Sequence, residues 1–123
     1  MKPFPLRIAV GSKSGLSVDV HFGHAKQFLV YEVTPDQCRL LETREVDNYC
    51  HGKHGSESAM QKILFTIKDC QAVFSAMIGE GPKSKLAAIQ VESVTDYGYE
   101  AIEESLLEFA RLYRQRSSAA SEA

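Results

Sequence analysis

Cys70-Gln71-Ala72-Val73-Phe74-Ser75-Ala76-Met77 decides the fold. The run is short, almost continuously apolar and closed by Gly79-Glu80-Gly81-Pro82, which fits a buried central strand. Just upstream, Met60, Ile63, Leu64 and Ile67 recur at i, i+3, i+4 and i+7, the stripe of an amphipathic helix. Ser56 is placed as its N-cap with Glu57 in the first turn, and the helix is expected to end near Asp69. Downstream, Pro82 suits the first position of a short helix through about Ala88. Ile89 to Val94 reads as a last strand. Asp96 is then expected to cap a final helix with Ile102, Leu106, Phe109 and Tyr113 as its buried stripe. Strands alternating with helices imply parallel βαβ units.

The first half reads differently. Leu6, Ile8 and Val10 alternate with Arg7 and Ala9 before Gly11-Ser12-Lys13-Ser14-Gly15 breaks the pattern, a strand followed by a loop. Gln27 to Val33 is rich in β-branched and aromatic residues, hence a second strand. Thr34-Pro35-Asp36-Gln37 is a turn in which Pro35 presets the backbone, and Cys38 to Val46 pairs back as a hairpin arm. Asp47 to Ser56, with Gly52 and Gly55, is a loop. An antiparallel hairpin joined to parallel units makes a mixed sheet. Residues 1–113 are expected to form one domain, and Arg114 to Ala123, polar and small, a disordered tail.

Composition narrows the function classes. The 123 residues are 44 % hydrophobic and 24 % charged, an ordinary globular balance for one domain. A net charge of -2 argues against nucleic-acid binding, which needs a clustered cationic surface. No apolar run approaches the ~18 residues of a membrane span. Three irregularly spaced cysteines, Cys38, Cys50 and Cys70, behind an N-terminus without a secretory h-region, lead us to expect reduced thiols and a cytoplasmic location.

The histidines carry the chemistry. There are four, in two pairs of identical spacing: His21-x-x-His24 and His51-x-x-His54, with Cys50 directly before the second. Imidazole and thiolate are ligands that iron accepts; a single HxxH is otherwise often an exposed loop or helix start. No CxxC or zinc-finger spacing is present. Nor can three scattered cysteines supply the usual four thiolates of an iron–sulfur site. A cluster bound here would arrive preassembled, the protein adding one or two terminal ligands and a polar pocket. Cys70 reads as a core residue, and Cys38 carries no partner signal. Gly79-x-Gly81-Pro82 either presents backbone N–H groups to an anion or makes a tight turn. Lys83 and Lys85, with Lys26 and Lys53, either rim an anion site or are solvated surface. Catalysis finds no support: no G-x-S-x-G elbow occurs, and Glu32, Glu42, Asp47 and Asp96 have no metal-site spacing. A non-enzymatic protein is expected.

His21-Phe22-Gly23-His24-Ala25, followed by Phe28-Leu29-Val30-Tyr31-Glu32, resembles the HFGxA…F-x-x-Y-E signature of the nitrogenase cofactor-carrier family, which includes NifX, NafY and the C-terminal domain of NifB. Arg44 to Cys50 resembles the segment before that family's cluster-proximal loop. Cys70 to Val73, Met77 to Gly79 and Pro82 resemble its C-x-A-V…K-I-G…P element, and Asp96-Tyr97-x-Tyr99-Glu100 the start of its last helix. The second histidine and the Tyr49-Cys50 pair look closest to the NifB C-terminal domain, although the radical-SAM C-x₃-C-x₂-C motif is lacking.

The resemblance implies a three-layer α/β domain of ribonuclease H-like topology with a five-stranded mixed sheet. It implies a carrier for a preformed iron–sulfur cluster, the iron–molybdenum cofactor (FeMo-co) or its NifB-co precursor. Its partners would be nitrogenase assembly proteins, a cluster donor and a scaffold or apo-dinitrogenase acceptor. Combined with the spacing, it gives His21, Gly23, His24, Cys50, His51, His54, Gly79 and Lys83 as candidate cofactor contacts, with His21, His24, Cys50 and His51 as metal ligands. Asn48 to Gly55 is the expected mobile lid. The alternative is a small metal- or partner-sensing regulatory domain of the same fold, carrying no nitrogenase cluster.

Overall fold

β1 (Leu6–Gly11) lies at the centre of a five-stranded sheet in the order β3-β2-β1-β4-β5. The computed structural model describes residues 4–45 and 56–122, with side chains at 4–45 and 61–116. β2 (Gln27–Val33) runs antiparallel to β1, and β3 (Cys38–Glu45) antiparallel to β2, with a bulge between Val30 and Tyr31. β4 (Ala72–Phe74) and β5 (Glu92–Val94) extend the other side in parallel, with Val10 beside Phe74 and Phe74 beside Val94. The mixed sheet is as the patterning requires: a hairpin on one flank and crossovers on the other.

Alternation along the strands divides the core into two apolar clusters, one per sheet face. On one face Leu6, Ile8, Val10, Leu29, Tyr31 and Phe74 pack with Ile102, Leu106, Phe109 and Tyr113 of α3 (Ile102–Glu122). On the other, Ala9, Phe28, Val30 and Val73 meet Ile63 and Ile67 of α1 (Ser56–Ile67) and Leu86 of α2 (Glu80–Ala88). Helices therefore cover both faces.

Five sequence expectations shift. The apolar run from Cys70 to Met77 is a ladder strand only over Ala72–Phe74. Beyond it the Ala76 N–H donates to the Val20 carbonyl and Met77 bridges to His21, so the chain leaves the sheet to pair with the loop after β1. Pro82 is the third residue of α2, not the first. Ile89 and Gln90 belong to the end of that helix: Gln90 takes φ 64 and the Val91 N–H returns to the Leu86 carbonyl, a left-handed helix stop. Asp96 caps nothing, because α3 starts at Ile102, after a turn through residues 96–100. α3 also runs on to Glu122, where disorder was expected from Arg114. That stretch holds no Gly or Pro to stop a helix and ends in alanines that favour one.

Candidate functional site

β1, β4 and β5 are parallel and end at the same edge of the sheet, the usual place for a ligand crevice in an α/β fold. Three segments emerge there: 12–26 after β1, 75–79 after β4 and 95–101 after β5. Backbone hydrogen bonds stitch them together. The Phe22 N–H donates to the Met77 carbonyl at 2.8 Å, Tyr99 N–H to Val18 at 2.8 Å, Val18 N–H to Glu100 at 3.0 Å and Ile102 N–H to Leu16 at 3.1 Å. Between the first and third of these segments, beside the start of β2, opens a cavity of about 600 Å³ lined by Ser12, Lys13, Asp19, Val20, His21, His24, Lys26, Gln27 and Tyr99.

The first histidine pair owes its placing to a single 3-10 turn, Phe22–His24. In such a turn residues i and i+3 eclipse one another. The His24 N–H donates to the His21 carbonyl at 2.9 Å, and the two imidazoles lie nearly parallel, 5.7 Å between centroids and 11° between planes. Phe22 anchors the turn: it is 1 % exposed and packs on Phe28 at 5.9 Å. With Phe22 driven inward, both histidines are left outside, facing the cavity. Gly23 sits between them, half-buried.

Asp19 organises the loop after β1. Its carboxylate accepts the Lys13 N–H at 2.7 Å, the Ser14 N–H at 3.3 Å and the Ser17 hydroxyl at 3.3 Å. Burial pushes its carboxyl up, but these donors outweigh it and leave it below the ordinary carboxylate range. Ser12 accepts the Gly15 N–H at 2.8 Å, closing the turn from within. Lys13 and Lys26 give the cavity a cationic side.

The other candidates divide. Gly79 caps the start of α2, two residues beyond the Met77 that bridges to His21, and so belongs to the same end of the sheet. Lys83 faces elsewhere, onto a second cavity of about 660 Å³ shared with Glu92, Tyr113 and Arg116. Cys50, His51 and His54, with the expected lid Asn48 to Gly55, lie outside the described residues. Among the described residues no three His, Cys, Asp or Glu side chains converge into a metal-ion site. His21 and His24 thus offer two imidazoles at a polar cavity, not a closed ion cage. Glu32 and Glu42 are tied to Arg39 and Arg44 instead of converging on a metal.

Sequence reasoning missed Ser12, Lys13, Asp19 and Tyr99. A Ser/Gly loop followed by Asp is a legible sign of a side-chain-organised turn. Tyr99 gave no such signal, since its place depends on a backbone bond to Val18, 81 positions earlier in the chain.

Residues 5–112 match the model of the dinitrogenase iron–molybdenum cofactor family. The chain is 38 % identical over 111 residues to the FeMo cofactor biosynthesis protein NifB of Herbaspirillum seropedicae, covering 90 % of this chain and 21 % of that protein. It is 37 % identical over 113 residues to NifB of Bradyrhizobium diazoefficiens, covering 92 % and 23 %. The chain therefore spans about a fifth of the length of these relatives. Among solved structures, PH0822 superposes with a TM-score of 0.62 at 19 % identity, over 85 % of this chain and 89 % of that one. A dinitrogenase-like protein of Methanocaldococcus jannaschii superposes with a TM-score of 0.57 at 14 % identity, over 89 % and 91 %. At such identities the two structures speak for the fold alone. No helix among the described residues is long and apolar enough to cross a membrane.

Proposed function

Because the chain belongs to the dinitrogenase iron–molybdenum cofactor family, we propose that it binds and carries a preformed iron–sulfur cluster, FeMo-co or its NifB-co precursor, during nitrogenase cofactor biosynthesis. The observation that carries this reading is the parallel pair His21 and His24 beside a cavity with Lys13 and Lys26 on its wall. Two imidazoles suit a cluster whose iron is already held by sulfide, since they can fill a terminal position without enclosing the cargo. The lysines suit its negative charge. A closed thiolate cage would resist release; a pair of neutral ligands on an open edge supports hand-over.

The chain acts in this reading without catalysis, in the cytoplasm, between nitrogenase assembly proteins: a cluster donor on one side and a scaffold or apo-dinitrogenase acceptor on the other. The strand order, with β2 alone reversed, supports a ribonuclease H-like topology used as a binding frame. The relatives' names support the pathway, as both are FeMo cofactor biosynthesis proteins.

The test is anaerobic loading. Incubation with FeMo-co isolated from dinitrogenase, followed by gel filtration, should leave stoichiometric iron on the wild-type chain. Iron eluting wholly apart from the protein, with FeMo-co and in a parallel loading with isolated NifB-co alike, would refute the carrier reading.

A further inference from the structure

The turn after β5 is built with unusual constraint around one exposed side chain. Tyr97 stacks on Phe74 at 5.3 Å and 14°, fixing the first residue of the turn to the core. Gly98 passes so close to Ala76 that an added Cβ would meet its carbonyl oxygen at 3.3 Å. The Glu100 N–H donates to the Tyr97 carbonyl at 3.0 Å and closes the turn, while the Tyr99 N–H and the Glu100 carbonyl both bond to Val18. These bonds pin the turn on both sides of Tyr99, and the consequence falls on Tyr99, which takes φ 66.

That conformation at the third position of a turn belongs to Gly or Asn; a bulky side chain is disfavoured there by contact of its Cβ with the backbone. Gln90 also has a positive φ, but at a helix end, where the left-handed stop explains it. Tyr99 gains nothing from the fold in exchange. Its side chain is 66 % exposed and lies on the wall of the cavity that holds His21, His24 and Lys13. Strain kept at a residue with no packing duty, on the lip of a binding cavity, marks a residue retained for what it contacts.

We propose that Tyr99 is a binding residue of this cavity. Its phenol O–H donates to a sulfide or carboxylate oxygen of the anionic cargo, and its ring shields one side of that cargo from water. This rests on the carrier reading above and assigns the residue a part in it. The sequence had given Tyr99 only as a mark of the last helix's approach.

The experiment uses three chains, wild type, Tyr99→Gly and Tyr99→Phe, each melted as apo-protein and each titrated anaerobically with isolated FeMo-co. Glycine removes both the strain and the contact. The melting temperature of Tyr99→Gly should hold or rise by a few degrees (~1–4 °C). Its affinity for the cofactor should fall by about tenfold, the scale of losing one aromatic wall and one hydrogen bond to a charged ligand. Tyr99→Phe, which keeps the ring, should lose about threefold. Stability and binding moving in opposite directions is a signature that a merely structural tyrosine cannot give. Tyr99→Gly binding as tightly as wild type would overturn this inference alone, and so would a melting temperature several degrees lower. A wild-type chain that retains no cofactor would overturn the carrier reading and this role with it.

Discussion

Arg44 holds Asp69 through two contacts, Nη1 to Oδ1 at 2.7 Å and Nη2 to Oδ2 at 3.0 Å. The same Nη1 donates to the Thr66 carbonyl at 2.7 Å, and Arg7 Nη1 donates to the same Oδ2 at 2.8 Å. One carboxylate thereby fastens β3 and β1 to the end of α1. Hydrogen bonding from Arg44, against the opposing effect of burial, draws the Asp69 carboxyl from 3.8 to about 2. A carboxylate depressed on folding adds stability that is present in full above its unfolded value. That part of the stability is lost as pH falls from about 4 to about 2. Asp69→Asn should cost about 1 kcal/mol at neutral pH, the half-exposed setting being screened by solvent. It should also flatten this part of the acid limb. Urea unfolding at pH 7 and pH 2.5 checks both; equal losses at the two pH values would contradict the assignment.

His21→Ala and His24→Ala remove exposed rings from a turn anchored by Phe22. Each should leave the melting temperature within ~1–2 °C of wild type while reducing the cofactor retained after gel filtration. Full retention in the double variant would take both imidazoles out of the site.

Gly98→Ala places a Cβ 3.3 Å from a backbone carbonyl oxygen that cannot rotate away. The expected cost is about 1–2 kcal/mol, a fall of several degrees in a thermal melt. A variant as stable as wild type would show that residues 96–100 shift freely, which the contacts with Val18, Ala76 and Phe74 oppose.

Cys70 is 3 % exposed, and burial, with the nearby Asp69 charge, pushes its thiol up to about 12. It should resist iodoacetamide at pH 8 until urea unfolds the chain. Cys38 is half-buried at the start of β3, its thiol raised by burial and by Glu103, and should label at an intermediate rate. Mass spectrometry of peptides after timed labelling separates them. Rapid labelling of native Cys70 would mean the α1 end of the molecule opens far below global unfolding.

Much of this was legible along the chain because it is local. Periodicity located Ile63 and Ile67 in α1 and Leu106 in α3, and a three-residue spacing drew attention to His21 and His24. What was misplaced depends on distant partners. Cys70 to Met77 looks like one strand, yet its last two residues pair with Val20 and His21. Asp96 looks like a cap, yet the turn after it is held to Val18 and delays the helix by several residues. Tyr99 joins the histidines only because the turn after β5 is bonded to Val18, and no spacing rule reports that.

The sheet's two rims have a consequence of their own. A free strand rim invites a foreign strand, and proteins discourage this with charge, kinks and brevity. β3 carries Arg39, Glu42, Arg44 and Glu45 and is kinked by the bulge opposite Val30 and Tyr31, while β5 offers three residues. Side-on collision with another copy therefore finds little to zip onto. At the sheet's end, where the loops gather, the described residues leave a cavity of about 600 Å³. A foreign strand is turned away across the sheet, while the cavity at the strand ends stays open along the strand axes.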